Sequence, residues 1–506
     1  MKNYTAQFDR ALQWVKLNSI DDGGMIITSK QRKIYPEVTG YYIPTLLQWG
    51  EKDLAIKYAK KLCSMQKNDG SWYDPENNAP YIFDTAQILK GLIEIRSILP
   101  EVDVNIINGC DWILTNMQAD GRLVTPDKNA WGNNGFCSEL IHIYCLSPIK
   151  SAGEIFGRNY YIDKVDQILT YYIENFREDI LNFKLLSHFY AYVLEGLIDL
   201  GREDLSRQAM YNIEQYQKKS GAIPGLRHVK WVCSTGLFQL ALVWYKLGEL
   251  DKGNKNFYYA LSLQNKDGGW YGSYPYHFYH NIVPFMKYKP GYFQNEEISW
   301  AIKYFFDALA YKEKLEFNKI AHTFSSNIDE NDGRFVLVEK MIQSVIAGER
   351  KDGFSICDVG CGKGRYLTRL AEKINTANFY ATDLSDEVMK GISDNISIVQ
   401  GRMTNLPFND EMFDFTYTIE ALEHSINVER AFKELLRITK KGGTLLIIDK
   451  PAEKVGKLKL YEWEKWISDI SIKKWTEECG AKLKVIKSVA YEGKDDGLFR
   501  AWIVRK

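Results

Sequence analysis

The sequence predicts two domains: an all-α (α/α)6 toroid over residues 1–312, then a doubly wound α/β domain over residues 313–506 that closes with an antiparallel hairpin. Three observations predict it. A loop pattern recurs roughly every fifty residues through the first three hundred, the length of two helices and their turns. An apolar strand, Ile356-Cys357-Asp358-Val359, runs into the glycine-rich turn Gly360-Cys361-Gly362-Lys363-Gly364, then a helix from Arg365 to Ile374 and a second strand ending in Asp383. Finally, the alternating runs Lys482–Tyr491 and Leu498–Val504 flank an Asp496-Gly497 turn, the pattern of a hairpin. A chain of 506 residues has room for two or three separate cores.

The recurring loop is Gln66-x-x-x-Gly70-x-Trp72, repeated at Gln118–Gly121, Gln217–Gly221 and Gln264–Trp270. Asn18–Gly24 is a degraded first copy, and spacing calls for another near Asn175–Asn182 whose glycine is missing. A second series opens the apolar helices between these loops: Glu37-Val-Thr39, Asp84-Thr85, Cys137-Ser138-Glu139, Ser187-His188, Ser234-Thr235 and Glu296-Glu297. Six helical hairpins suggest a closed ring. Its inner helix starts would gather Tyr35, Glu37, Tyr41, Asp84, Trp131, Asn134, Glu139, His188, Tyr190, Thr235, Glu297 and Trp300 around one funnel. Acids among aromatic rings suit a sugar, and Glu37, Asp84, Glu139, His188, Glu297 and Trp300 are the candidate substrate residues. The same acids also suit helix N-termini as caps and dipole partners, with the rings as packing. Two carboxylates at the right separation could instead hydrolyse a glycoside.

The repeats resemble the toroids of terpene-cyclase and protein-prenyltransferase relatives and of six-hairpin glycosidases. No D-x-D-D, D-D-x-x-D or Asp/Cys/His zinc set accompanies them, so the isoprenoid chemistry is not implied.

In the second half, the turn Gly360-x-Gly362-x-Gly364 lets a nucleotide lie against backbone that a Cβ would fend off. Asp383 ends its strand where it can accept from ribose hydroxyls. The spacing is not the dinucleotide G-x-G-x-x-G, and no G-K-[ST] follows. With Asp358 before the glycines, it resembles motif I of class I S-adenosylmethionine-dependent methyltransferases. From Asp358 to Asp449 the chain is similar to their ubiquinone/menaquinone-type (methyltransferase type 11) branch. Leu406-Pro407-Phe408, Phe413-Asp414, Leu422-Glu423-His424, Arg437 and Gly442-Gly443 carry the likeness. The resemblance implies a Rossmann-like fold with S-adenosyl-L-methionine as cofactor. It implies Phe324, Asp358, Gly360, Cys361, Gly362, Gly364, Asp383, Leu384, Met403 and Thr418 at the cofactor. Arg402 departs from the family, standing where an acid usually meets adenine, which leaves Met403 and backbone groups as the adenine contacts.

Methyl transfer is an in-line displacement in which positioning dominates, and a hydroxyl or amine acceptor must also lose a proton. His424 and Glu420, in the turn after the fourth strand, are the candidate catalytic residues; an unperturbed imidazole would suit a base. Glu423, Asp449 and Lys450 lie on the same face. Totals of 65 basic and 65 acidic residues create no field toward nucleic acid or membrane. Without a signal-peptide pattern, an apolar span, a C-x-x-C pair or a metal cluster, a reduced cytoplasmic protein is expected. The function expected is methylation of a carbohydrate-type acceptor, a small molecule or glycan, bound with the toroid's help. A homo-oligomer is compatible with the sequence. The alternatives are a toroid that is itself a glycosidase, lyase or isomerase, or a quinone or terpenoid methyltransferase with the toroid as docking scaffold.

Overall fold

The computed structural model describes residues 4–20, 22–76, 78–127, 139–276, 291–349, 353–460 and 464–506. Trp131, Asn134, Cys137 and Ser138 lie outside them. The chain divides into two compact units, one made of Ala6–Leu47 with Glu51–Glu313, the other of Lys314–Lys506 with two short pieces from the N-terminal region.

The first unit is helical: α1 (Thr5–Asn18), β1 (Ser19–Ile20), β2 (Gly24–Met25), α2 (Pro36–Gln48), α3 (Lys52–Met65), α4 (Ile82–Ile95), α5 (Asp103–Thr115), α6 (Leu146–Phe156), α7 (Asn159–Leu181), α8 (Ser187–Asp199), α9 (Glu203–Ile213), β3 (Trp231–Cys233), α10 (Ser234–Lys246), α11 (Leu250–Leu261), β4 (Ser273–Pro275) and α12 (Ser299–Ile320). Helices of two kinds alternate. In α3 only Ala55, Tyr58, Ala59 and Leu62 are buried, one stripe at helical spacing, whereas α10 is buried from Ser234 through Tyr245. α2, α4, α8 and α10 are thus inner elements covered by amphipathic outer ones.

Small residues set the inner spacing. A Cβ on Gly40 of α2 would stand 2.5 Å from the Ile88 Cα of α4, and one on Gly91 would stand 2.2 Å from the Gly40 carbonyl oxygen. Pro44, lacking an N–H, leaves that carbonyl without its helical partner, so Gly91 can approach it. Gly40→Val is therefore expected to cost about 1–3 kcal/mol of stability by overpacking, read as a lower denaturant midpoint. Gly196 of α8 meets the Tyr144 backbone in the same manner, and Gly236 of α10 meets Ser187. The last helix returns to the first ones: the Tyr42 hydroxyl donates to Ser299 O at 2.6 Å, and Phe306 packs edge-on against Phe8 at 5.3 Å.

The structure explains the repeat. Gln66 donates at 2.9 Å to Gly70 O of its own loop and at 2.9 Å to Asn105 O of α5; Gln264 does the same to Gly268 O (3.0 Å) and to Gln7 O of α1 (2.9 Å). Trp72 and Trp270 each donate to the carbonyl ten residues back, Leu62 and Ala260. Gly70 and Gly268 have φ of +94° and +102°, and a Cβ would collide with Asn108 O and Arg10 O at 2.3 Å. At the copy lacking its glycine, α7 kinks at Phe176 instead (φ −125°).

The second unit comprises α13 (Gly333–Glu349), β5 (Phe354–Val359), α14 (Arg365–Lys373), β6 (Ala377–Asp383), β7 (Ser397–Gln400), β8 (Phe413–Ile419), α15 (Val428–Ile438), β9 (Thr439–Asp449), α16 (Asp469–Glu478), β10 (Lys482–Ile486) and β11 (Arg500–Arg505). Its seven strands lie in the order β10-β11-β9-β8-β5-β6-β7. β7, β6, β5, β8 and β9 are parallel; β11 is antiparallel to β9, and β10 to β11. Several motif residues are ties of this scaffold. Arg437 donates to Phe408 O (2.8 Å) and Leu406 O (3.0 Å), while Asp414 accepts from Ser355 N (2.9 Å) and Lys440 (2.7 Å).

Three expectations from the sequence, a last toroid helix over 298–312 and further helices over 386–392 and 462–478, are corrected. The charged stretch after Lys312 does not end a helix: α12 continues to Ile320 because nothing from Ser299 onward is a glycine or proline. Residues 386–392 form turns rather than a helix, with Gly391 at φ +88°. The late helix starts at Asp469, not Glu462, where the Ser468 side chain caps Ser471 N.

Candidate functional site

In a sheet of this order the crevice lies where successive crossovers leave in opposite directions, beyond the carboxyl ends of β5 and β8. A cavity of about 420 Å³ occupies that position. One side is the glycine loop after β5 with Asp358, Gly360, Cys361 and Gly362, and Phe324 lies across it. The other side is the turn after β8, with Glu420, Glu423 and His424, and Lys450 after β9.

The loop's backbone fits a nucleoside. Gly360, Gly362 and Gly364 have φ of +76°, +53° and +69°, which side-chain-bearing residues rarely adopt. A Cβ on Gly362 would project to 3.5 Å from Phe324 Cδ1, filling a cradle that is open in the native chain. The Gly362 N–H donates to Asp383 Oδ2 at 2.9 Å and the Ser385 N–H to Oδ1 at 3.0 Å, so the acid is fixed against the loop with acceptor capacity to spare. Burial raises Asp383, backbone N–H groups opposing, and pushes Asp358 up to about 7, with the Tyr417 phenol opposing and Asp383 adding to the rise.

Five residues expected at the cofactor, Gly364, Asp383, Leu384, Met403 and Thr418, do not line this cavity. Thr418 is fully buried inside β8, closed off by the sheet. Met403 packs beneath the loop, its Cε 2.8 Å from where a Gly360 Cβ would lie. Leu384 follows Asp383, and its carbonyl accepts from Gln400.

The turn after β8 is electrostatically dense. Glu420, at φ +52°, accepts from Arg334, which is also paired with Asp332 at 2.8 Å, and lies 3.7 Å from Arg365. Glu423 is fully buried; its Oε1 accepts from Lys450, and its N–H donates to Asp449 Oδ2 at 3.1 Å. Lys450 also lies 3.8 Å from Glu464 and 3.9 Å from Glu420. Burial and the Asp449 charge raise the Glu423 carboxyl, Lys450 pulling it back. Sequence reasoning found Glu420, Glu423 and Lys450 but missed Arg334, Asp332 and Glu464, which come from distant segments with no shared motif.

His424 corrects the expectation of an ordinary imidazole. Its side chain is 24 % exposed, packs edge-on against Phe317 at 5.7 Å and lies 3.8 Å from Glu423 Oε1. Burial lowers its pKa to about 4, with Glu464 opposing and Lys450 reinforcing. Its ring proton resonances are expected to titrate near pH 4 and to stay fixed between pH 6 and 8 by NMR. Since the folded value lies below the unfolded one, this residue's contribution to stability is complete above about 6.5 and is lost as pH falls toward 4.

In the helical unit, several of the candidate substrate residues converge. Glu37 and Asp84, in the first turns of α2 and α4, are both buried, and burial, then the Asp84 charge, raises the Glu37 carboxyl well above the usual range, with Tyr35 opposing. His188 packs on Tyr192 (4.4 Å) and Tyr304 (6.0 Å), and Lys303 lies over Tyr304 (4.0 Å) and Tyr41 (5.1 Å). Trp300 donates to the Tyr292 hydroxyl at 3.1 Å. Glu297 and Glu139 are engaged otherwise: Glu297 accepts from Trp14 (2.6 Å) and Asn265 (2.7 Å), and Glu139 faces Arg122 at 3.7 Å.

Residues 357–447 match the family model described as "Methyltransferase domain". The C-terminal unit is a class I S-adenosylmethionine-dependent methyltransferase domain. Over 102 residues the chain is 32 % identical to a sterol 24-C-methyltransferase of Aspergillus fumigatus, covering 18 % of this chain and 27 % of that protein. It is 31 % identical over 105 residues to the methyltransferase GfsG of Streptomyces halstedii, covering 19 % and 38 %. The chain thus spans about a quarter of the length of the sterol methyltransferases it matches. Among solved structures, a methyltransferase of Thermotoga maritima described as a possible histamine N-methyltransferase shares 21 % identity over 38 % of this chain and 98 % of that one, with a TM-score of 0.27. Among the described residues, no group of His, Cys, Asp and Glu could hold a metal, and no helix is long and apolar enough to cross a membrane.

Proposed function

We propose that the whole protein is a methyltransferase that uses S-adenosylmethionine to methylate a small-molecule acceptor. The observation that carries the reading is the cavity joining the glycine loop and Asp358 to the polar turn after β8. Bound there, the donor supplies an electrophilic methyl group. Asp383 would accept from its ribose hydroxyls, the loop glycines would admit its backbone-side approach, and Phe324 would cover its methionine part. Charged groups of the turn after β8 would orient the acceptor.

We infer that the helical unit is a closed (α/α)6 ring, since the contacts of α12 with α1 and α2 complete a circuit of inner helices. A carbohydrate-type acceptor recognised by this unit is supported by Glu37 and Asp84 beside His188, Tyr41, Tyr192 and Tyr304. A quinone or terpenoid acceptor, with the unit as scaffold, is supported by the close ring-on-ring packing of Tyr144, Tyr192 and Phe83, at 4.7 and 4.9 Å. The sterol methyltransferases' activity belongs to those proteins, of which a quarter of the length is matched. Incubation with methyl-labelled donor and a panel of nucleotide sugars, oligosaccharides, quinols and sterols tests the choice. Label in a sugar supports the first reading, and label confined to quinols or sterols overturns it. Glycan turnover without donor, lost in Glu37→Gln, would mark the helical unit as a second enzyme.

A further inference from the structure

Four cations line the cavity beyond β5 and β8: Lys363, Arg365, Lys450 and Lys459. Four acids line it too, and three of them are held by donors of the protein itself. Glu420 accepts from Arg334, Glu423 from Lys450, and Glu464 from Trp466 at 2.8 Å. The fourth, Asp358, is buried, and that burial carries its carboxyl up to about 7. The cations are not matched in this way. Among the described residues, only Lys450 of the four makes a hydrogen bond.

Exposed lysines such as Lys459 are satisfied by water, so the telling group is Arg365. Its side chain is only 31 % exposed, it approaches Glu420 no nearer than 3.7 Å, and it lies over the Tyr366 ring at 4.9 Å. The Glu420 carboxylate is already taken by Arg334, which is tied to Asp332 as well. None of the Arg365 nitrogens is a sealed orphan, so its fork stays open. A guanidinium offers five N–H donors in a plane that matches an oxyanion at two points.

We propose that Arg365 is an anion-binding residue of the acceptor pocket, selecting an acceptor that carries a carboxylate or phosphate group. This deepens the methyltransferase reading and rests on it. The position favours the acceptor over the donor's own carboxylate. Arg365 shares Glu420 with Lys450, which lies 3.9 Å from that carboxyl, so both cations belong with the turn after β8. A neutral acceptor that displaced water from the fork would strand its donors. Quinols and sterols offer such a fork nothing, whereas a uronic acid or a nucleotide sugar does. The inference therefore divides the acceptor panel by charge.

Calorimetry on the full chain saturated with S-adenosylhomocysteine provides the test, with methyl glucuronide, glucose 1-phosphate and the neutral methyl glucoside as probes. At least one charged probe is expected to bind about tenfold or more tightly than methyl glucoside, and Arg365→Gln should erase that preference. Arg365→Lys, which keeps the charge without the fork, should retain part of it, and carries the comparison should the glutamine variant not fold. Affinity for S-adenosylhomocysteine alone should stay within about twofold in both variants. No preference for either charged probe, or a preference that survives in Arg365→Gln, would overturn the proposal. So would weaker S-adenosylhomocysteine binding in Arg365→Gln with 5′-methylthioadenosine binding unchanged, since that pattern assigns the fork to the donor's carboxylate. A wild-type protein that binds no S-adenosylhomocysteine would instead sink the methyltransferase reading beneath it.

Discussion

Asp383→Ala is expected to weaken S-adenosylmethionine binding about 100-fold or more, the largest effect on the donor site. The carboxylate accepts from Gly362 N and Ser385 N at 2.9 and 3.0 Å, so its loss removes the proposed ribose partner and also releases the loop. Hydrogen bonds to a charged group contribute about 1.5–3 kcal/mol each, and two such losses exceed the roughly 2.7 kcal/mol that a hundredfold change needs. Calorimetric titration with donor measures it. Gly362→Val should match the loss by a separate route, placing a side chain into the cradle beside Phe324 at a φ of +53°. Arg402→Asp should hold or improve donor affinity, since it supplies the acid that the family resemblance places at adenine. Weaker binding in that variant would give Arg402 a part in the donor site itself.

Lys450→Met is expected to cost about 3–5 kcal/mol of stability at neutral pH, because it leaves the Glu423 carboxyl buried beside Asp449 without its cation. The damage should be smallest at low pH and grow as pH rises toward the Glu423 folded pKa of about 10, because only the ionised carboxyl needs the Lys450 cation. Adding Glu423→Gln to Lys450→Met should recover most of the loss, as a neutral amide tolerates the site where an unpaired carboxylate does not. Equilibrium denaturation of the two single variants and the double variant, at pH 5 and pH 8, gives the coupling directly. A double variant no more stable than Lys450→Met would show that the pair does not act as a unit.

Much of the donor half was legible in sequence because its determinants are local. Gly360, Gly362, Gly364 and Asp383 sit within one strand-turn-helix-strand unit, where spacing along the chain nearly fixes spacing in space. The family resemblance puts Phe324 at the cofactor, and its ring lies beside Gly362. The acceptor side was less legible. His424 and Glu420 were picked out for their residue types. Glu420's partner Arg334 and the charges that act on His424, Lys450 and Glu464, reach the turn from three other segments. No periodicity announces such a gathering.

By itself, the sequence determined the parallel sheet of the C-terminal unit, its glycine turn and terminal acid, and the helical repeats before it. Each follows from short-range rules: alternation, helical spacing, and glycines where φ must be positive. Only the tertiary structure decided that Gly70 and Gly268 pack against the next helix's carbonyls, that α12 runs unbroken to Ile320, and that Thr418 is sealed inside the sheet. It alone decided that burial lowers the His424 pKa and that Glu423 lies fully buried between Asp449 and Lys450. The physical reason is common to all of these. Burial and charge pairing are properties of neighbours in space, and here those neighbours stand tens to hundreds of residues apart in the chain.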